Sequence, residues 1–167
     1  MKKATLCTTL ALIAATLFSC HKETSIETGK GLPADMVALI NGTQWEAADS
    51  TQTATFSQGL TTISGISADG QEISITLSDT VVGLYSLNQS SASLAIYADL
   101  DSTGAFAFST NQGADTSQAG GTVNVISLDP VNRTISGIFA FKVYRNSDGS
   151  QKNITAGAFY NIPYTTL

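Results

Sequence analysis

The chain is short of the side chains on which most protein chemistry depends. It has two cysteines, one histidine, one tryptophan and three prolines in 167 residues, and 13% of its residues are charged, about half the usual share. Each shortage removes a class of function. The histidine, His21, follows Cys20 directly in a stretch without apolar periodicity, so nothing holds it against a nucleophile as a Ser-His-Asp or Cys-His set requires. Zinc is excluded for the same want of ligands, since structural sites take four Cys or His and catalytic sites usually two or more His. No cofactor is expected. Lys30, Arg133, Lys142, Arg145 and Lys152 are too few and too interspersed with acids to form the cationic face that phosphates need, which excludes nucleic acid as a partner.

What is present begins with an address. Met1-Lys2-Lys3 precedes a largely apolar stretch over 4–18 and then Ser19-Cys20, the basic, apolar and small-residue order of a secretory signal. As a helix the apolar stretch would span roughly 22 Å at ~1.5 Å per residue, short of a hydrocarbon core ~30 Å thick. The string Leu17-Phe18-Ser19-Cys20 resembles the lipobox of bacterial lipoproteins, with Phe18 bulkier than the usual second residue. That resemblance implies removal of residues 1–19, a thioether-linked diacylglycerol on the Cys20 thiol and an acyl chain on its new amine. Two or more chains anchor stably where one holds marginally. The competing reading, a soluble secreted protein with an incidental Cys20, leaves the position of that cysteine unexplained.

Cys7 lies in the discarded segment, so the mature protein keeps one cysteine and forms no internal disulfide. Loss of Lys2 and Lys3 leaves six basic residues against thirteen acidic ones, a formal net of −7. Residues 20–35 mix Thr, Gly, Lys, Glu and Pro33 and read as a lipidated flexible tether able to lift the domain roughly 50 Å at ~3.3 Å per residue. His21-Lys22-Glu23 lacks the Asp that retains some lipoproteins in the inner membrane. Lys22-Glu23 partly resembles the surface-export signal of Bacteroidota lipoproteins, but Thr24 stands where a second acid belongs. The expected location is the outer membrane of the cell envelope, facing either the periplasm or the surface.

From Met36 onward apolar residues follow the two-residue strand period, with turn residues at short intervals. Asn41-Gly42 and Asp69-Gly70 suit tight hairpins, the first placing Trp45 on its return strand and the second Ile73, Ile75 and Leu77. Further strands are expected at 81–87, 94–100, 105–110, 122–128, 134–145 and 154–164. Between two of them, Asp129-Pro130-Val131-Asn132 fits a type I turn with Asn132 left-handed. The strand after it has Ile135, Phe139, Phe141 and Val143 on one face and Ile138, Ala140 and Tyr144 on the other, as a central strand partly covered on both sides would. The expected fold is all-β, an antiparallel sandwich or partly open barrel of about 8–11 short strands. Residues 36–167 are expected to form it as one domain, with no separate sorting domain expected after it.

Four elements carry a family resemblance: Asn41-Gly42 with Trp45, Gly83 with Tyr85, Ser136-Gly137-Ile138-Phe139, and Gly157 with Phe159. In this order the chain resembles the Bacteroidota lipoprotein family DUF6252 over most of the mature domain. The family carries no assigned activity, so the resemblance implies fold and address without chemistry. Asp49-Ser50-Thr51, Asp79-Thr80-Val81 and Asp101-Ser102-Thr103 also resemble the O-glycosylation signal of exported Bacteroidota proteins.

Candidate sites are few. Asp99 and Asp101 share a strand face beside a turn, which suits calcium, yet two acids without a bidentate Glu read more readily as a solvated strand end. Acid pairs for glycoside hydrolysis, such as Glu46 with Asp129 or Glu72 with Asp99, are not singled out by any pattern. Trp45 reads as core, whereas Tyr160 and Tyr164, near Pro163, are the aromatic candidates for an exposed binding patch. The expectation is a non-enzymatic lipoprotein binding or accessory module, held to the membrane through Cys20, whose partner is a protein or a glycan. The alternative is a carboxylate-dependent hydrolase of envelope or dietary glycans. Cys20→Ser should abolish palmitate incorporation and move the protein from the membrane to the soluble fraction; normal labelling of that variant would remove the anchor.

Overall fold

The computed structural model describes residues 35–101, 104–113 and 117–167, the side chains of 100–105 excepted. Cys20, His21 and the tether precede the described residues, and Ser102 and Thr103 also lie outside them. The described strands are β1 (Asp35–Ile40), β2 (Thr43–Glu46), β3 (Thr53–Ser57), β4 (Leu60–Ile66), β5 (Glu72–Leu77), β6 (Gly83–Leu87), β7 (Leu94–Asp101), β8 (Gly104–Ser109), β9 (Gly120–Asp129), β10 (Thr134–Tyr144) and β11 (Gln151–Thr166). A 3-10 turn, Asp49–Thr51, joins β2 to β3.

Six strands in the order β2-β1-β11-β10-β9-β6 make one half of the fold, and β3-β4-β5-β7-β8 make the other. The halves meet at two corners. Tyr164, Thr165 and Thr166 of β11 run parallel to Ala54, Thr55 and Phe56 of β3, while Tyr144 at the end of β10 pairs with Ser109 of β8. The result is a single all-β domain, an 11-stranded, mostly antiparallel sheet folded on itself as a sandwich-like, partly open barrel. β11 is the longest strand and serves both halves through two irregularities. Ala156 and Asn161 adopt positive φ of 49° and 50°, and residues in that region bulge and bend a strand. The Asn161 amide donates to Ser136 Oγ at 2.8 Å, which holds the second bend.

The hairpin of β10 and β11 is the centre of the larger half. Gly137 faces Phe159 and Phe139 faces Gly157, so each phenyl ring lies over the glycine of the partner strand. A methyl group at Gly157 would overlap the Phe139 ring, and one at Gly137 would come within 2.5 Å of Phe159 Cζ and of the Asn124 carbonyl. The rings stack with centroids 6.3 Å apart, and Phe139 stacks on Phe141 at 5.5 Å. Strand glycines weaken a sheet unless something packs on the bared backbone; here two rings do. Met36, Trp45, Ile63, Ile73, Ile75, Tyr97, Phe108, Val123 and Ile154 complete the core.

Asn41 and Gly42 take φ of 50° and 84°, the paired positive angles of the expected turn. At the second hairpin only Gly70 is left-handed, at 82°, and its amide donates to the Ser67 carbonyl at 3.0 Å, so the turn spans four residues. Gln58-Gly59 forms another tight turn, with φ of 52° and 79°, and creates β3, which the sequence did not mark because Gln is a weak turn signal. Two expectations need correction. The left-handed residue after Pro130 is Arg133, at 55°, because Asn132 is engaged by Asp129, whose carboxylate accepts from the amides of Val131 and Asn132 and from Asn132 Nδ2. β10 is central, between β9 and β11, but its second face is covered only at half-buried Tyr144; Ile138 is 45% exposed and Ala140 is exposed, because no layer lies on that side of the larger half among the described residues.

Gly157→Ala keeps an ordinary backbone conformation but forces the Phe139 ring aside, and overpacking of this kind costs ~1–3 kcal/mol. Urea unfolding should show that loss, and Phe139→Leu in the same chain should recover part of it. Independent, additive effects would show that ring and glycine do not act together.

Candidate functional site

Strand alternation sends Tyr97 and Asp99 of β7 to one face, where the smaller half approaches β1, β2 and the start of β11. Tyr97 is buried and its Oη donates to Asp99 Oδ2 at 3.1 Å. Lys152, second residue of β11, faces Val143 across the hairpin, and its Nζ lies 5.9 Å from the Tyr97 ring centroid and 5.8 Å from that of Phe108. Arg145 leaves β10 on the same side, its guanidinium 4.5 and 4.7 Å from the centroids of Phe106 and Phe108. It pairs with Asp148 through two hydrogen bonds, one at 2.9 Å from Nε.

Two adjoining hollows result. One, of about 260 Å³, is walled by Asn41, Gln44, Trp45, Gln71, Asp99 and Lys152 among others. The second, of about 310 Å³, is bounded by Asp99, Phe106, Phe108, Arg145, Ser150 and Lys152. Asp99 and Lys152 border both, so the two form one cleft with a carboxylate, cations and amides around an aromatic floor. The wall is fixed from below: Trp45 Nε1 donates to the Gln71 carbonyl at 3.2 Å.

A larger concavity, about 560 Å³, lies on the outer face of β6, β9, β10 and β11, among Leu84, Asn124, Ile138, Ala156 and Tyr160. No charged side chain lines it. For recognition of a polar ligand the cleft at Asp99 and Lys152 carries the chemistry and the outer hollow does not.

Of the residues proposed from sequence, Asp99 is in the cleft. Asp101 continues the backbone of β7, but its side chain lies outside the described residues. Tyr160, 48% exposed, borders the outer hollow, while Tyr164 is half-buried and stacks on Phe56 at 4.2 Å, with Arg133 over its ring at 5.8 Å. The bend at Asn161 separates these two tyrosines. Neither acid pair assembles. Glu72 faces Ala98 and so projects opposite to Asp99, while Glu46 and Asp129 sit on strands four positions apart, ~19 Å at ~4.8 Å per strand; carboxyl pairs in glycosidases stand ~5–9.5 Å apart. Among the described residues no three His, Cys, Asp or Glu side chains come together. Trp45 is core, 3% exposed, with one edge on the cleft. Arg145 and Lys152 carried a signal that was overlooked, since Asp148-Gly149 is a hairpin turn with Gly149 at φ 74°.

Burial raises the Tyr97 hydroxyl well above its ordinary value of 10.0, and the Asp99 charge and hydrogen bond add to the shift. Hydrogen bonding lowers two carboxyls, Asp129 through the backbone and side chain of Asn132 and the amide of Val131, and Asp148 through Arg145 and Ser150, the opposite of what a general acid needs. For Tyr97 the folded state binds the phenolic proton more tightly than the unfolded chain, so the stability linked to it is complete below pH ~10 and is lost as pH rises through the higher folded value. In an alkaline titration followed by tyrosinate absorbance, Tyr97 should ionise last of the five tyrosines, together with unfolding. Tyr97→Phe should remove that late step, and a step that persists would assign it to another tyrosine.

The model of the family described as Domain of unknown function (DUF6252) matches residues 33–163. The match takes in both Gly-x-Phe strands, the Asn41-Gly42 turn and the cleft, and begins after Cys20. No curated protein and no solved structure matches the chain.

Proposed function

The chain belongs to the DUF6252 family, and from that premise we propose that it is an outer-membrane lipoprotein, anchored through Cys20, whose β domain is a non-enzymatic binding module. The Asp99–Lys152 cleft is its binding site and a small polyhydroxylated, glycan-like compound its ligand. The observation that carries this reading is the mixture of groups in one cleft. Sugar hydroxyls donate and accept, and they match a wall that offers Asp99 as acceptor, Lys152 Nζ and Asn41 Nδ2 as donors and the amides of Gln44 and Gln71 as both, the Asn41 carbonyl oxygen being taken by the Asn153 amide. Lys152 makes no hydrogen bond or ion pair to the described residues beyond its contacts with Tyr97 and Phe108, so its ammonium is available to a ligand. The apparatus of hydrolysis is not supported in the same way, since the acid pairs are apart. The anchor rests on the Leu17-Phe18-Ser19-Cys20 string.

Trp45 is the single tryptophan and borders the cleft, so its fluorescence reports on that site alone. Titration with a panel of neutral oligosaccharides should give a saturable change for at least one of them, with no hydrolysis of the sugar. Hydrogen bonds to charged groups are worth ~1.5–3 kcal/mol, so Asp99→Asn or Lys152→Met should weaken binding about tenfold or more, while Glu46→Gln leaves it unchanged. A panel without effect on Trp45, or turnover of a bound sugar, would overturn the reading.

A further inference from the structure

The domain is acidic, yet several of its exposed apolar side chains stand together at one end, between the carboxylates of Asp79 and Asp129. Val81, Val82, Leu84, Ile126, Val131 and Tyr160 are 53%, 54%, 71%, 56%, 87% and 48% exposed. Strand register places them together. Gly83 at the start of β6 faces Val125, beside Ile126, and Val131 tops the turn from β9 to β10. Tyr160 faces Asp35 at the start of β1, so the polypeptide from Cys20 enters the domain at this end. The tips are held in shape: Tyr85 Oη donates to the Val81 carbonyl at 2.7 Å, and Asp129 braces the turn that bears Val131. Behind the tips lies the outer hollow with its uncharged lining. The opposite end carries the turns Asn41-Gly42 and Asp69-Gly70 and the loop of Asp148.

We infer that this end and the outer face of β6, β9 and β10 form a docking surface for the zwitterionic bilayer that holds the Cys20 lipid. The inference rests on the anchored reading above and adds an orientation to it. Fifteen residues from Cys20 to Asp35 keep the domain within ~50 Å of the membrane, where even weak apolar contacts act at high effective concentration. Preformed valine tips enter the interface with little ordering cost. The uncharged lining suits neutral headgroups, whereas a domain of net negative charge is repelled by anionic ones. In this orientation the Asp99–Lys152 cleft, at the end where β11 begins, stays open to solvent.

The mature chain has no thiol other than Cys20, so single cysteines can be labelled selectively once Cys20 is lipidated. The lipidated protein, carrying an environment-sensitive fluorophore at Leu84→Cys, Val131→Cys or Ser147→Cys, is reconstituted in phosphatidylcholine vesicles doped with headgroup spin label. Docking requires blue-shifted, quenched emission at 84 and 131 and neither effect at 147. Equal emission at all three positions overturns the inference while leaving the anchor intact. A shift at 84 that grows with protein concentration without vesicles assigns the face to a second copy of the chain instead. Mass spectrometry of Cys20 separates these outcomes from failure of the premise, since an unlipidated Cys20 overturns both.

Discussion

Across the middle of the longest hairpin, Phe139 lies over Gly157 and Phe159 over Gly137, and the geometry of the rest of the domain descends from this exchange. Each ring needs the partner strand to be bare at one position, and each bare position needs a ring to exclude water from its backbone. The register of β10 on β11 is thereby set, because a slip of one residue would put ring against side chain and expose both glycines. From that fixed pair the sheet grows outward, β9 and β6 on one side and β1 and β2 on the other.

The same hairpin closes the fold. Its open end delivers Tyr164 to β3 after the bend at Asn161, and its closed end delivers Tyr144 to β8, so the smaller half is held at two corners. Between those corners, where the halves diverge, lies the Asp99–Lys152 cleft. Its polar groups come from β2, β7, β11 and the loops beside them, and its floor from Tyr97, Phe106 and Phe108. The cleft is therefore a consequence of how the sheet folds over, and the cations at its mouth stand on aromatic rings because the hairpin turn at Asp148 aims them there.

Much of the fold was legible from local pattern. Period-two burial identified β5, β7, β9 and β10, and Asn41-Gly42 gave the first turn, since both depend on neighbours in the chain. What escaped detection depended on partners far away. β3 has only weak local signals and is a strand because it lies against β4 and the end of β11. Arg133, not Asn132, is left-handed because the Asp129 carboxylate captures Asn132. Tyr160 and Tyr164 read as a pair, yet a bend at Asn161, held by the Ser136 hydroxyl on a neighbouring strand, sends one to the outer face and the other against Phe56.

The amino-acid sequence alone determined the secondary-structure class and the places of the Asn41-Gly42 and Asp69-Gly70 turns, because strand period and glycine act within a few residues of themselves. It also contained the scarcity of His and Cys that narrows the chemistry, which is a matter of composition. Only the tertiary structure decided which strands adjoin, which face of β10 is left bare, and that Asp99 meets Lys152 while Glu72 points away. Those outcomes turn on the register between segments separated by dozens of residues, where the close fit of a ring on a glycine chooses among pairings that local pattern leaves equal.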